Sequence, residues 1–494
     1  MNPISVLLGA GASVPYGVPM MKEFYVTFKH FLTQRYPSCA DLVGRLERRS
    51  GRQVHDLETL MTDLLAVAGI PEGLKKLGAE AQGISPDIAK AQETRGYLDA
   101  FIVDTCEAFD RSGAEKEVAR LFSLCELGPL WVFTTNYDRV VEHAAAEGDV
   151  PFTDGFEDPI EDPVSDWTGS FDHDVRIVKL HGSVNWYEDN PRGQLHRLDR
   201  GYSLPGHDFR LVQGDQVLRP LMIIPTLEKE ATKHPYTRLA THFGDVLRDV
   251  RVLLIIGSSL RDDHIRGVIE TRMSGLNVLL VNPDAGNLVP LLGDSQRVHG
   301  VSAGTSEFLH HGLDKLLEWA RDAGEDGLSD EEVASQLRGV AKAIERTIAE
   351  EEVWNQSPEL ARVRGELADD HVTTRRTAID RLSNHRHPAV MRRVQEILAN
   401  DSHPEVRVGA VSVLMEGLGT LAIPALKKAA HGDDSVMVRR EAVLAVGMLL
   451  PEVDARECLS EISKGDDPVA AQMARELLEE EAEDGREASY SEAV

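Results

Sequence analysis

Cysteine is scarce in this chain. Its four copies, Cys39, Cys106, Cys125 and Cys458, stand far apart with no Cys-x-x-Cys pair, which argues against a disulfide framework and against a structural zinc site. Aromatic residues make up only 5% of the 494 positions, against 42% hydrophobic overall, so the core has to be built mainly from Ala, Leu and Val. Basic residues are outnumbered, 53 to 82, for a net charge of -29. A polyanion would meet a repulsive field, and nucleic acid is not an expected partner. Long apolar runs are missing too: the densest, Val252–Ile256, falls far short of the roughly 20 residues a membrane helix needs, and no basic-then-apolar signal opens the sequence. A cytoplasmic chain without a membrane partner is expected, folded into two to four domains at roughly 100 to 200 residues each.

What is present falls into two patterns. The first is a series of short apolar runs, at 4–8, 130–133, 177–180, 252–256 and 278–281, each ending in small or polar residues. Such alternation predicts a parallel sheet covered on both faces by helices, an α/β Rossmann-like fold. A long helical insert, including 56–68 and 86–109, lies between the first two runs and predicts a lid or small subdomain beside the sheet. The second pattern begins near Asp330, where strand runs stop. Ala378, Ala410, Ala442 and Ala474 recur every 32 residues, and nine positions before them stand Asp369, Asp401, Asp433 and Gly465, the last followed by Asp466. Leu382, Leu414, Val446 and Leu478 keep the same register, as do Arg375, Arg407, Arg439 and Ala471. A capping Asp before a helix, repeated at a fixed period, predicts an all-α solenoid, and its columns resemble HEAT repeats. The expected divisions are 1–320 for the α/β domain, 321–368 for a helical linker, 369–480 for the repeats and 481–494 for an acidic, solvated tail.

Polar groups sit where the apolar runs end. Gly9-Ala10-Gly11-Ala12-Ser13 follows the first strand and precedes a helical stretch near 20–32. It reads either as a tight turn or as a loop letting backbone approach a pyrophosphate, with amides and the helix N-terminus facing the charge. The acidic ribose-binding residue of a dehydrogenase is missing roughly 20 residues further on, where Glu23 lies in a helix instead. Thr134-Thr135-Asn136-Tyr137-Asp138 follows the second strand; the bland reading is an Asn/Asp turn. Lys179-Leu180-His181-Gly182-Ser183 places a histidine at a strand end, more often structural than catalytic when it stands alone. Ile256-Gly257-Ser258-Ser259-Leu260, with Asp262 and Asp263 behind it, and Val281-Asn282-Pro283 complete the set.

In order and content these five groups resemble the sirtuin fold over roughly residues 1–320, and Gly17-Val18-Pro19 stands where sirtuins carry Gly-Ile-Pro. The resemblance implies that Gly9, Ala10, Gly11 and Ser13 cradle the phosphates of NAD and that Pro19 and Thr135 lie in the same binding site. It implies further that Asn136 and Asp138 line the nicotinamide-ribose pocket, that His181 is the general base, and that Gly257, Ser258, Ser259 and Asn282 hold phosphate and adenosine ribose. Met20-Met21-Lys22 replaces the Asp-Phe-Arg of deacylases, and the zinc ribbon is absent. Tyr137 in place of Ile, with Trp186 five residues after His181, looks like the sirtuin-like effectors of bacterial anti-phage systems.

That implies hydrolysis of NAD to nicotinamide and ADP-ribose, with NAD as substrate and no metal, in an antiviral NAD-depleting effector governed by its repeats. Asn136 would hold the water or the ribose hydroxyls. A homo-oligomer is expected, with a phage protein or companion subunit as partner of the repeats. The rival readings are an NAD-dependent deacylase or ADP-ribosyl transferase, a non-catalytic sensor of NAD or ADP-ribose, and a scaffold with an inert first domain. The arginine column reads either as a basic strip or as local ion pairs.

Overall fold

The computed structural model describes residues 3–50, 56–76, 85–157, 164–189, 194–198, 211–213, 216–218, 220–222, 235–293, 296–323, 328–383 and 385–491. The chain forms two compact units, Met1–Ile348 and Ala349–Val494, and the division falls within one helix, Asp330–Asn355.

The strands of the first unit are β1 (Ile4–Leu8), β2 (Leu130–Thr134), β3 (Phe152–Thr153), β4 (Val164–Asp166), β5 (Val175–Lys179), β6 (Gly182–Asp189), β7 (Gln194–Leu198), β8 (Leu211–Gln213), β9 (Gln216–Leu218), β10 (Pro220–Met222), β11 (Val252–Ile256), β12 (Asn277–Val281) and β13 (Val298–Val301). Seven of them make a parallel sheet in the order β13-β12-β11-β1-β2-β5-β3. Alternate residues of each central strand feed different cores, as a two-residue side-chain period requires. Ile4, Val6, Leu8, Val252, Leu254 and Ile256 enter one, while Leu7, Leu253 and Ile255 enter the other. Helices cover both faces. Tyr236–Asp249 and Asp263–Glu270 supply Leu239, Phe243, Ile265 and Ile269 to the second core. The helical insert supplies Phe24, Phe28, Leu64, Leu98 and Ile102 to the first, so it is a subdomain sharing the core of the sheet.

The expected strands are all present, but the intervening material is more than helix and loop. A four-stranded antiparallel sheet, β10-β6-β7-β4, takes β4 from the connection between β3 and β5 and its other strands from the connection between β5 and β11, which also carries a β8-β9 hairpin. Short length hid them, as it hid β3 and β13: the runs have two to five residues, apart from β6, and many polar positions. Trp186, on β6, is buried against Phe156 and Trp167, with ring centroids 5.2 and 5.8 Å away. It anchors this small sheet.

In the second unit the repeat columns turn inward. Ala378, Ala410 and Ala442, one per helix in Val372–Arg381, Pro404–Leu418 and Val436–Gly447, are fully buried, as are Ala474, Leu382, Leu414 and Val446. Alanine suits such a column because it lets neighbouring helices approach closely. The arginines pair from repeat to repeat. Arg375 reaches Asp401 at 2.9 and 3.1 Å and donates to the backbone oxygens of Asp369 and Asp370. Arg407 treats Asp433 and Asp401 in the same way, at 2.9 and 2.7 Å to the carboxylate, and Arg439 bonds Asp467. The basic strip is thus neutralised. In the last repeat the column residue Gly465 gives way to Asp467, which accepts from the amides of Val469 and Ala470. The stretch Pro404–Gly432 has the length and composition of a membrane span, but it breaks at Gly419, with φ of 57°, and its Val406, Ala410, Val411, Leu414 and Leu426 lie in the repeat core. The final helix, Pro468–Ser491, carries the Glu-rich segment on as helix, and the last three residues of the expected tail, 492–494, lie outside the described residues.

Candidate functional site

The order of the sheet places β1 at its centre, between β2 on one side and β11 on the other. In an open parallel sheet the connections diverge at such a point, and a crevice opens outside the carboxyl ends of the strands. All five polar groups of the sequence lie on that edge: Gly9 after Leu8, Thr135 and Asn136 after Thr134, His181 after Lys179, Gly257 after Ile256, and Asn282 after Val281.

The glycines hold two loops back to back. The amides of Gly9 and Gly11 donate to the oxygens of Ile256 and Gly257, both at 2.9 Å. A Cβ added at Gly11 would come within 2.8 Å of the Gly257 oxygen, and one at Gly257, where φ is +67°, within 2.2 Å of the Ala12 nitrogen. Only glycine tolerates such a seam. The amides of Ala12 and Ser13 turn back to the oxygens of Gly9 and Ala10, so most of the loop's N–H groups are spent internally. Among the described residues, the backbone amides of Ala10, Ser258 and Ser259 have no protein acceptor, and these remain for an anion. Two 3-10 turns, Ala10–Ala12 and Val14–Tyr16, and the half-buried Pro19 separate the loop from helix Met21–Arg35. The helix therefore does not open directly from the loop.

Asn136 is buried and bound to this seam: Nδ2 donates to the Gly9 oxygen at 3.0 Å and to Ser13 Oγ at 2.9 Å. Thr135 donates its amide to the Leu8 oxygen at 3.1 Å, which ties the end of β2 to β1. Asp138 lies beneath, accepting the Val140 amide at 3.1 Å. Burial raises its carboxyl above the usual carboxylate range, against the attraction of the Lys179 ammonium. Lys179 itself is fully buried; it donates to the Asp138 backbone oxygen and pairs with Glu142 at 3.0 Å. On the β11 side, Asn282 Nδ2 donates to the Ser258 oxygen at 3.1 Å, and Ser258 Oγ accepts the Leu260 amide at 3.2 Å. Ser259 is exposed.

His181 is held at the turn from β5 into β6. Gly182 makes the turn with φ of +82°, and a Cβ there would lie 2.1 Å from the Leu221 oxygen, so a glycine must follow the histidine. The imidazole Nε2 lies 2.7 Å from Asp262 Oδ2. Asp262 is the site residue that motif matching left out. The sequence displays it only as one of two aspartates behind Gly-Ser-Ser-Leu; its link to His181, 81 positions away, is tertiary. The structure thus joins Asn136 to Gly9 and Ser13, Gly11 to Gly257, Asn282 to Ser258 and His181 to Asp262, and it records no hydrogen bond between Asn136 and His181 among the described residues.

Residues 131–278 match the family model described as the SIR2-like domain. Residues 360–447 and 396–489 match HEAT repeats. No curated protein matches the chain. Among solved structures, Sir2Tm bound to a propionylated peptide is 15% identical, with 63% of this chain and 92% of that one covered at a TM-score of 0.32. A structure reported for the mechanism and regulation of Sir2 enzymes is 12% identical, covering 65% and 93% at 0.32, and one reported for sirtuin substrate affinity is 15% identical, covering 62% and 91% at 0.31. The architecture is a sirtuin-like parallel α/β unit followed by HEAT repeats, and the SIR2-like domain points to an NAD-related activity.

Among the described residues no group of three or more His, Cys, Asp or Glu side chains comes together as a metal site. One roomy groove, about 500 Å³ and lined by Thr237, Arg238, Thr241, His242 and Asp245, lies elsewhere. His242 packs on Trp131 near the amino end of β2, away from the polar edge.

Proposed function

We propose that the first unit hydrolyses NAD to nicotinamide and ADP-ribose, with residues 1–320 as the catalytic domain and the repeats, 369–480, governing its activity as an NAD-depleting effector in antiviral defence. The observation that carries this reading is the meeting of Asn136 and the glycine seam at the end of β1, with His181 on the same edge. Ala10, Ser258 and Ser259 offer free amides to the pyrophosphate, and Asn282 lies beside them for the adenosine ribose. Asn136 holds the ribose hydroxyls or the attacking water. Breaking the nicotinamide bond builds oxocarbenium character on the sugar, and His181 accepts a proton as general base as the step is completed.

What favours hydrolysis over transfer to a peptide is in the sequence: Met20-Met21-Lys22 stands where deacylases carry Asp-Phe-Arg, and the four cysteines form no zinc ribbon. Chromatography of NAD incubated with the pure full-length chain, alone and with candidate activators, tests the proposal. Nicotinamide and ADP-ribose should accumulate without any acyl-lysine; release of nicotinamide only when an acylated peptide is supplied would replace hydrolysis with deacylation, and no release under any condition would leave a binding module.

A further inference from the structure

We infer that Asp262 is the positioning residue for His181, fixing the ring with its hydrogen on Nε2 so that Nδ1 becomes the proton-accepting atom. The inference rests on His181 being the base of the proposed reaction. In the sheet β5 and β11 are separated by β2 and β1, a span of roughly 14 Å at the ordinary strand spacing. The loops that follow them nevertheless lean together until Nε2 and Oδ2 are 2.7 Å apart. The carboxylate is itself immobilised: Oδ1 accepts the amides of His264 at 2.9 Å and Ile265 at 3.1 Å at the start of helix Asp263–Glu270. One oxygen caps the helix and the other is left for the ring.

An ionised carboxylate can only accept hydrogen bonds, so the nitrogen facing it must carry the hydrogen, and in a neutral imidazole the lone pair then sits on the other nitrogen. Burial opposes the Asp262 charge, but the hydrogen bond from His181 and the amides of Ile265 and His264 outweigh it, and the carboxyl is held below its ordinary value. No protein partner is recorded for His181 Nδ1 among the described residues. A carboxylate that orients a histidine and selects its tautomer is the arrangement by which catalytic bases are prepared in hydrolytic triads. Helix capping alone would use only Oδ1, and it would leave the ring free to choose either tautomer.

The test separates these roles with Asp262→Asn, because asparagine caps helices as well as aspartate. With the amide oxygen kept on the helix amides, the NH₂ group faces Nε2 and forces the opposite tautomer. The full-length chain labelled with ¹⁵N-histidine should show His181 with a protonated Nε2 and a bare Nδ1, and the assignment should reverse in the variant. NAD turnover should fall by roughly 10²- to 10⁴-fold, the range between loss of general-base catalysis and loss of a triad's orienting carboxylate. KM for NAD and the melting temperature should change little. A wild-type ring protonated on Nδ1, an unchanged tautomer in the variant, or normal turnover in a variant whose tautomer has reversed would each overturn the inference. The nitrogen spectra need no NAD, so a chain that left NAD intact would sink the hydrolase reading while the tautomer still decided the role of Asp262.

Discussion

The two units carry their polar contacts over very different distances along the chain. In the repeat unit the decisive pairs, Arg375–Asp401, Arg407–Asp433 and Arg439–Asp467, are 26 to 28 positions apart and recur from one repeat to the next. In the α/β unit, Asn136 reaches back 127 positions to Gly9, His181 forward 81 to Asp262, and Thr305 Oγ1 back 294 to the Gly11 oxygen. A repeating contact is built by near neighbours and can be weakened one step at a time. A site at the switch point of a sheet closes only when the whole topology is in place, and changes there should be felt by the unit as a whole.

The sharpest way to break that contrast is at the seam. Gly257→Val puts a branched side chain on a left-handed backbone, against the Ala12 nitrogen, and should cost roughly 3 kcal/mol or more through clash and strain together. Thermal unfolding should show the α/β unit destabilised as a block; an unchanged melting profile would mean that the loops part at little cost. Gly11 meets the same obstacle, since its added Cβ would strike the Gly257 oxygen. A bulkier residue there should therefore lower stability as well as NAD affinity, and not affinity alone.

A smaller effect on folding but a large one on chemistry is expected at the two polar side chains. His181→Ala and Asn136→Ala should each reduce NAD turnover on the order of a hundred-fold or more, measured by nicotinamide release. They should differ in stability. His181→Ala should melt near the wild type, whereas Asn136→Ala removes two buried donations that tie β2 to the glycine loop and should lose about 1–2 kcal/mol. Near-normal turnover of a well-folded His181→Ala would end the assignment of the base.

Within the repeats, Asp433→Ala breaks a pair whose side chains are each 7% exposed and removes the acceptor of the Ser435 amide. About 2–3 kcal/mol should be lost, less than for a fully buried pair because water reaches its edges. Amide exchange should rise in the helices on either side of the break and much less elsewhere. A uniform rise through the whole unit would show that the repeats fold as one block after all.

The smallest expected effect comes from acid. Burial opposes the charges of Asp401 and Asp433, but their arginine partners and backbone amides hold both carboxyls below the ordinary value. For Asp467 the amide of Ala470 acts first and Arg439 adds to it, with the same direction. A depressed folded value means stability that is present above the unfolded carboxylate range near pH 4 and lost as pH falls through the folded values. Denaturant midpoints of the repeat unit should hold steady between pH 7 and 5 and decline below about pH 4. In Asp433→Ala that decline should be shallower, and an equal slope would take the ladder out of the acid response.

The same contrast governs what could be read beforehand. The five central strands were legible because a strand buried on both faces must be continuously apolar, as in Val-Leu-Leu-Ile-Ile at 252–256. The repeat register was legible because each unit meets the same neighbour and so repeats the same residues. The small antiparallel sheet was not legible, because two- and three-residue strands with a polar face carry little period. Gly9, Gly11 and Gly257 stood out as types, but the sequence could not say that each exists to let the other loop approach. Asp467 escaped the 32-residue register by two positions, since what the last helix needs is an acceptor at its own first turn.

What the sequence by itself determined is composition-bound and local: a parallel sheet with helices on both faces, a helical repeat, and polar residues wherever a buried strand reaches its carboxyl end. Only the tertiary structure decided which of those residues meet. Strand order is set by packing between segments far apart in the chain, and it brings β11 and β2 to either side of β1. The seam of glycines, the anchoring of Asn136 and the pairing of His181 with Asp262 follow from that order. A hydrogen bond requires partners within about 3 Å, and no pattern along the chain specifies a distance between positions 181 and 262.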